Sequence, residues 1–176
     1  MNDKNTKDLY NNLILKHYKN PYHKDHDIQA THTAHSKNES CGDEVTLHLK
    51  LDTVDTDSDT DIGNATVTDV SFQSKGCIIC QASASILAKH IKGKRVSNIL
   101  SYSKRLKIFI GDGVEADSAD DDADAEMNID SNNIDDNMAE VLRALAYVRE
   151  FPTRTQCVLL SWNTLERCLK QEHKNS

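Results

Sequence analysis

The spacing of apolar residues changes several times along the chain, and each change marks an element. Leu9, Tyr10, Leu13, Ile14, His17 and Tyr18 recur at steps of three and four, as on an amphipathic helix, and Asn20-Pro21 ends it. From Asp27 to His35 the alternation is weak (Ile28, Ala30, His32, Ala34), which suits a first strand at a sheet edge. Val45, Leu47, Leu49 and Leu51 alternate with Thr46, His48 and Lys50 and predict a half-buried strand. Asp52 to Asn64 is polar. Ala65 to Ser74 then reads as a third strand, with Val70 and Phe72 on one face, joined to the second by a hairpin with a long loop. After Gly76 the period lengthens again: Ile79, Ala82, Ser83, Ile86, Leu87 and Ile91 mark a helix stopping near Gly93. Its Ala82-Ser83-Ala84-Ser85 run is small enough for close packing. A short helix is expected within Val96 to Leu106, another over Met138 to Val148 that Pro152 breaks, and a last one over Val158 to Leu169. No internal repeat is present.

Helix, strands, then helices predicts an α+β fold: a small three-stranded antiparallel sheet with helices packed on one face. The length of 176 residues fits one domain. Only 38% of residues are hydrophobic and 5% aromatic, so the core is modest and a bound metal would help stabilise it.

The net charge of −7 argues against a general nucleic-acid binder, and its distribution is uneven. Gly111 to Asn137 holds eleven acidic residues and neither Lys nor Arg, leaving 17 acidic against 21 basic residues elsewhere. This stretch, at about 111–137, lacks apolar periodicity and is expected to be a mobile insert in the 1–176 domain, by default a solvated charge run, with steering of a basic partner as the alternative. The start, Met1 to Lys7, has no apolar run, and no stretch approaches the roughly 18 apolar residues of a membrane helix, so the chain reads as soluble, cytoplasmic and free of membrane contact. Five cysteines in that setting favour metal or sulfur chemistry over disulfides.

Three of those cysteines have distinctive settings. Cys41-Gly42-Asp43 precedes a strand, and glycine lets the chain bend so that thiolate and carboxylate point to one spot, although a plain turn has the same letters. Cys77 follows Gly76 and opens a helix, where the partial positive charge of the N-terminus favours a thiolate; a small buried apolar residue is the duller alternative. Cys157 stands at or near the start of the last helix, with Arg154 three residues earlier as a nearby positive charge. Three soft thiolates and the Asp43 carboxylate make a four-donor set for zinc or iron, provided these distant segments converge at one end of the domain.

Other motifs carry less. Cys80 completes Cys77-Ile78-Ile79-Cys80, as an alternative ligand, a resolving thiol or a packed side chain. Cys168 reads as structural. Asp55, Asp57, Asp59 and Asp61 resemble the start of a calcium loop, but Thr60 stands where glycine is required and Thr66 where the bidentate acid belongs. His23, His26, His32 and His35 suit adventitious metal at most.

Taken together, Leu9-Tyr10 with His17-Tyr18-Lys19-Asn20-Pro21, Cys41-Gly42-Asp43, Gly76-Cys77 with Ala82-Ser83-Ala84-Ser85, Lys92-Gly93-Lys94, Phe151-Pro152 with Arg154 and Cys157, and Trp162 with Leu165-Glu166 form a specific set. With it the chain resembles the U-type iron–sulfur cluster assembly proteins (IscU/NifU N-terminal-like), most of all their SufU-like branch, from Leu9 to about Leu169 apart from the acidic stretch. The resemblance implies a NifU-like fold with a metal or cluster site at one end, made by Cys41, Asp43, Cys77 and Cys157. It also implies zinc, or iron as a nascent [2Fe–2S] cluster, on those ligands. In the zinc-binding branch the first cysteine, here Cys41, is the favoured acceptor of sulfur from a pyridoxal-phosphate cysteine desulfurase (SufS-like), with downstream scaffolds or apo-proteins as onward acceptors. The scaffold branch has His before its last cysteine and a Leu-Pro-Pro-Val-Lys chaperone motif. This chain has Gln156 there and lacks the motif, whereas Arg154 matches the SufU-like pattern. The rival readings are a cluster scaffold without zinc-dependent transfer, a purely structural zinc domain, and a zinc hydrolase, for which no His-Glu-x-x-His motif is present.

Overall fold

The computed structural model describes residues 3–52, 62–111 and 136–170. The acidic stretch therefore lies, except at its ends, outside the described residues, as do Asp55, Asp57, Asp59 and Asp61.

Helix α1 (Asp3–Lys19) leads into strands β1 (His32–Lys37), β2 (Glu44–Asp52) and β3 (Thr66–Lys75), with a 3₁₀ turn at Ile62–Asn64 before β3. Four helices follow: α2 (Ile78–Ile91), α3 (Val96–Ile110), α4 (Asp136–Ala146) and α5 (Pro152–Lys170), with a 3₁₀ turn at Tyr147–Glu150 ahead of α5. The sheet is antiparallel with order β1-β2-β3. The expected α+β architecture is thus the observed one.

Period-two alternation places Ala34, Leu47 and Phe72 abreast on the inner face, with His32, Leu49 and Val70 beside them. All six are buried, and α2 and α5 cover this face. Burying a residue such as Leu47 or Phe72 contributes about 1.5–3 kcal/mol relative to exposure. A shift between Lys50 and Leu51 sets Leu51 against Val67, which keeps both inward at the end of the hairpin. The opposite face carries Thr33, His35, Thr46, His48 and Lys50, where His35 and Thr46, and Thr33 and His48, pair across strands.

Some boundaries differ from expectation. Strand β1 runs from His32 rather than Asp27, because Ile28 and Ala30 are not buried and the inward positions are His32, Ala34 and Ser36. Helix α3 is a full 15 residues, since Ile99, Tyr102, Leu106 and Ile110 extend one buried stripe to the Gly111 cap at φ 79°. The last helix starts at Pro152, which does more than break its predecessor: a proline at the first helical position loses no hydrogen bond. No described helix is long and apolar enough to cross a membrane.

Candidate metal centre

The β1–β2 hairpin holds the first two candidates. Asn38 N–H donates to the Asp43 carbonyl and Gly42 N–H to the Asn38 carbonyl, both at 2.8 Å, which closes the turn. Gly42 adopts φ 73°, a conformation costly for a side-chain-bearing residue. The turn leaves Cys41 exposed and rolls Asp43 inward to 2% exposure.

The third candidate arrives from β3. Its strand ends at Lys75, opposite Glu44, so Gly76 and Cys77 lie at the same end of the sheet as the hairpin. Gly76 has φ 135°, and a Cβ there would overlap the Asp43 carboxylate and come within 2.9 Å of the Asp43 Cα. Only glycine lets the two chain segments approach this closely. Cys77 caps α2: its Sγ accepts from Cys80 N–H at 3.4 Å. Its own N–H donates to Asp43 Oδ1 at 2.9 Å and its thiol to Asp43 Oδ2 at 3.5 Å. The helix start thus holds the carboxylate in place.

Cys157 comes from the second turn of α5, rather than the helix start, and is 1% exposed. Donor atoms of Cys41, Asp43 and Cys157 all lie within 4.8 Å of one another. Cys77 is not in that group; it lies beside it, with its Sγ 3.5 Å from Asp43 Oδ2. All four candidates therefore meet at one end of the sheet. Burial alone would raise the Asp43 pKa, but the Cys77 N–H and the thiols of Cys157, Cys41 and Cys77 together hold it below the usual value. Burial pushes the Cys157 thiol upward, and the hydrogen bond to Asp43 and the charge of Cys77 act the same way. In a tetrahedral zinc site with Zn–S of ~2.3 Å, neighbouring sulfurs sit ~3.8 Å apart. Cys41, Asp43 and Cys157, already within 4.8 Å of one another, suit such a cation after a small contraction, and with the Cys77 sulfur 3.5 Å from Asp43 the donor types are chemically apt for zinc or iron.

The auxiliary candidates separate. Arg154 is exposed in the first turn of α5. Cys80 is fully buried, and burial pushes its thiol pKa up, with Asp43, Cys77 and Cys41 adding to the effect. Cys168 is also fully buried, its pKa pushed up to about 12 by burial. Tyr10 and the space at Gly76 are features that sequence reasoning missed. In the sequence Tyr10 is one member of an apolar stripe and of a resemblance motif, neither of which assigns its hydroxyl a role, and the Gly76–Asp43 approach is non-local.

Comparison with known proteins agrees with this arrangement. The chain is 34% identical over 164 residues to the zinc-dependent sulfurtransferase SufU of Bacillus subtilis, covering 93% of this chain and 91% of that one. It is 28% identical over 163 residues to the iron–sulfur cluster assembly scaffold protein IscU of Thermotoga maritima, covering 93% and 94%. A crystal structure assigned to an iron–sulfur cluster assembly scaffold protein for the SUF system, from Fervidobacterium islandicum, superposes with a TM-score of 0.63 at 26% identity, over 92% of this chain and 97% of that one. The fold is shared as well by the N-terminal part of a NifU-like protein from Brucella abortus, with a TM-score of 0.66 at 20% identity over 97% and 98%. The model of the NifU-like N terminal domain matches residues 9–130, and with these relatives it shows that the chain belongs to that family.

Proposed function

We propose that this protein accepts sulfur from the persulfide of a SufS-like cysteine desulfurase at Cys41, and holds metal through Cys41, Asp43, Cys77 and Cys157, as a step in SUF-type iron–sulfur cluster assembly. The observation that carries the reading is the asymmetry of the donor set. One thiol is exposed on a hairpin, while Asp43 and Cys157 beside it are buried. A structural zinc site likewise has four protein ligands, so what sets this one apart is not the donor count but the exposure of Cys41. Here the sheltered groups anchor and the exposed one is free to meet another protein.

Zinc on these residues would keep the thiols ionised near neutral pH. In the transfer itself the Cys41 thiolate attacks the outer sulfur of the desulfurase persulfide. The S–S bond breaks, the desulfurase cysteine leaves as thiolate, and Cys41 retains the sulfur as its own persulfide. Downstream scaffolds or apo-proteins would then receive it. Iron or a nascent [2Fe–2S] cluster would be cargo on the same donors, and the scaffold reading rests on the resemblance to IscU.

The test has two parts. Purified protein should speed alanine release from cysteine by a SufS-type desulfurase and gain one sulfur atom on Cys41, and Cys41→Ala should abolish both. Cys41→Ala, Asp43→Ala, Cys77→Ala and Cys157→Ala should each lower metal content on anaerobic purification, while Cys168→Ala should not. Equal metal in all five variants would overturn the ligand assignment. Full metal without stimulation of the desulfurase would leave a structural zinc domain, and brown protein carrying iron and sulfide would favour the scaffold.

A further inference from the structure

Buried polar oxygens in this fold are almost all bonded. Ser83, Ser85, Ser103, Ser161 and Thr164 each have partners. Among the described residues, Tyr10 Oη and Ser74 Oγ are the buried side-chain oxygens that have none. Both fall at the same end of the molecule. Ser74 sits on β3 three residues before Cys77 and pairs with Val45, two residues after Asp43.

Tyr10 comes from α1. Its ring packs against Tyr147 at 5.7 Å, and only 5% of the residue is exposed. His17 on α1 bonds Ser85 on α2 at 2.8 Å. Tyr10 lies seven residues before the one, and Cys77 eight before the other. With a rise of about 1.5 Å per residue, helices running the same way bring Tyr10 level with Cys77. Electrostatics agrees on the direction: Lys89 is felt at His17, while Cys77, Cys157 and Arg154 are felt at the Tyr10 hydroxyl. A phenol this buried usually finds a partner, and leaving a donor bare costs stability. Phenylalanine would fill the same space without that cost.

We propose that the Tyr10 hydroxyl is a positioning group for the loaded centre: it donates a hydrogen bond to a metal-held sulfur of Cys77 or Cys157. This rests on the ligand reading given above. A neutral thiol is a weak acceptor, whereas a thiolate on a metal is a strong one, so the bond is made when the centre is filled. Such outer-shell donors hold a ligand in orientation and lower the electron density on its sulfur.

The experiment compares wild type with Tyr10→Phe, full chain, in three measurements: the thermal midpoint without metal, zinc affinity by chelator competition, and the thiolate charge-transfer absorption of the cobalt(II)-loaded protein. The metal-free midpoint is expected to stay or rise, because the variant removes an unpaired donor. Zinc affinity is expected to fall about ten-fold. The cobalt band is expected to move to lower energy, because a thiolate relieved of a hydrogen bond is easier to oxidise. Unchanged zinc affinity with an unmoved band would overturn the proposal, as would a metal-free midpoint that falls. If wild type itself takes up neither metal, the ligand reading is what fails, and this inference fails with it.

Discussion

Helix α2 borders two polar clusters that behave in opposite ways. Through its middle, Ser83 and Ser85 are fully buried and their bonds close on one another. Ser83 donates to the Val158 carbonyl at 2.7 Å, lies 3.2 Å from Ser161 Oγ and accepts from Trp162 Nε1–H. Ser85 accepts from Tyr22 N–H and meets His17 Nδ1. At the first turn of the same helix, three thiols crowd one carboxylate, and the Tyr10 phenol, which feels the charge of Cys77 and Cys157, has no partner. The first cluster is complete and fastens α1, α2 and α5 together. The second has more donors than acceptors, which is the mark of a place built around something else.

The largest effect should come from breaking the second cluster through its backbone. Gly76→Ala puts a methyl group into the Asp43 carboxylate at a φ of 135° that alanine rarely adopts. Strain and overpacking together are expected to cost on the order of 4 kcal/mol. Urea unfolding of the metal-free protein measures this, and chelator competition should show that zinc binding is lost as well. A variant with wild-type stability would mean that the close approach of β3 to the hairpin is dispensable.

Acid should act through the first cluster. Burial lowers the His17 pKa from 6.5 to about 4, and Lys89, His90 and Lys16 add to the effect. The unfolded chain then binds the extra proton first as pH falls. The stability tied to neutral His17 is present in full above pH 6.5 and is lost as pH drops towards 4. The whole effect is about 3 kcal/mol. Unfolding curves of the metal-free protein at several pH values should show this slope, and His17→Gln should flatten it. An equal slope in the variant would assign the acid sensitivity to other groups.

How far these clusters could be read from the sequence depends on the range of the interactions that make them. Val45 to Leu51 announces its strand because one face is dry and the other wet over the whole length, a local pattern. Strand β1 is blurred because its inward residues, His32, Ala34 and Ser36, have little apolar contrast with their neighbours. Cys41, Asp43, Cys77 and Cys157 stand out in the sequence by residue type and setting, although a plain turn or a packed thiol has the same letters. Their meeting is not legible there, because it depends on Gly76 passing Asp43, 33 residues away in the chain. Tyr10 is hidden for the same reason: as a letter it belongs to an apolar stripe, and only the packing reveals that its hydroxyl is unmatched.

A smaller effect sharpens the contrast from the complete side. Ser83→Ala strips a partner from Trp162 Nε1–H and from Ser161, both buried. The expected loss is about 2 kcal/mol by denaturant unfolding, with zinc affinity unchanged. A matching fall in metal affinity would show that the two clusters are coupled along α2, and the contrast between them would then be one of degree.

The smallest effect is expected where the clusters touch. Cys80 sits one turn after Cys77, and its backbone N–H, not its thiol, is what reaches the Cys77 sulfur. The side chain is fully buried among apolar residues of the core, as is Cys168 at the far end of α5. A thiol excluded from water ionises with difficulty and has no path to a partner protein, so Cys80 belongs to the packed side of the helix despite its place in a Cys-x-x-Cys motif. Cys80→Ala should therefore cost about 1 kcal/mol for the lost packing and leave both metal content and desulfurase stimulation at wild-type levels. Loss of metal in this variant would make Cys80 a fifth ligand. Loss of stimulation alone would make it the resolving thiol for sulfur carried on Cys41. Either result would move the boundary of the second cluster one turn deeper into α2.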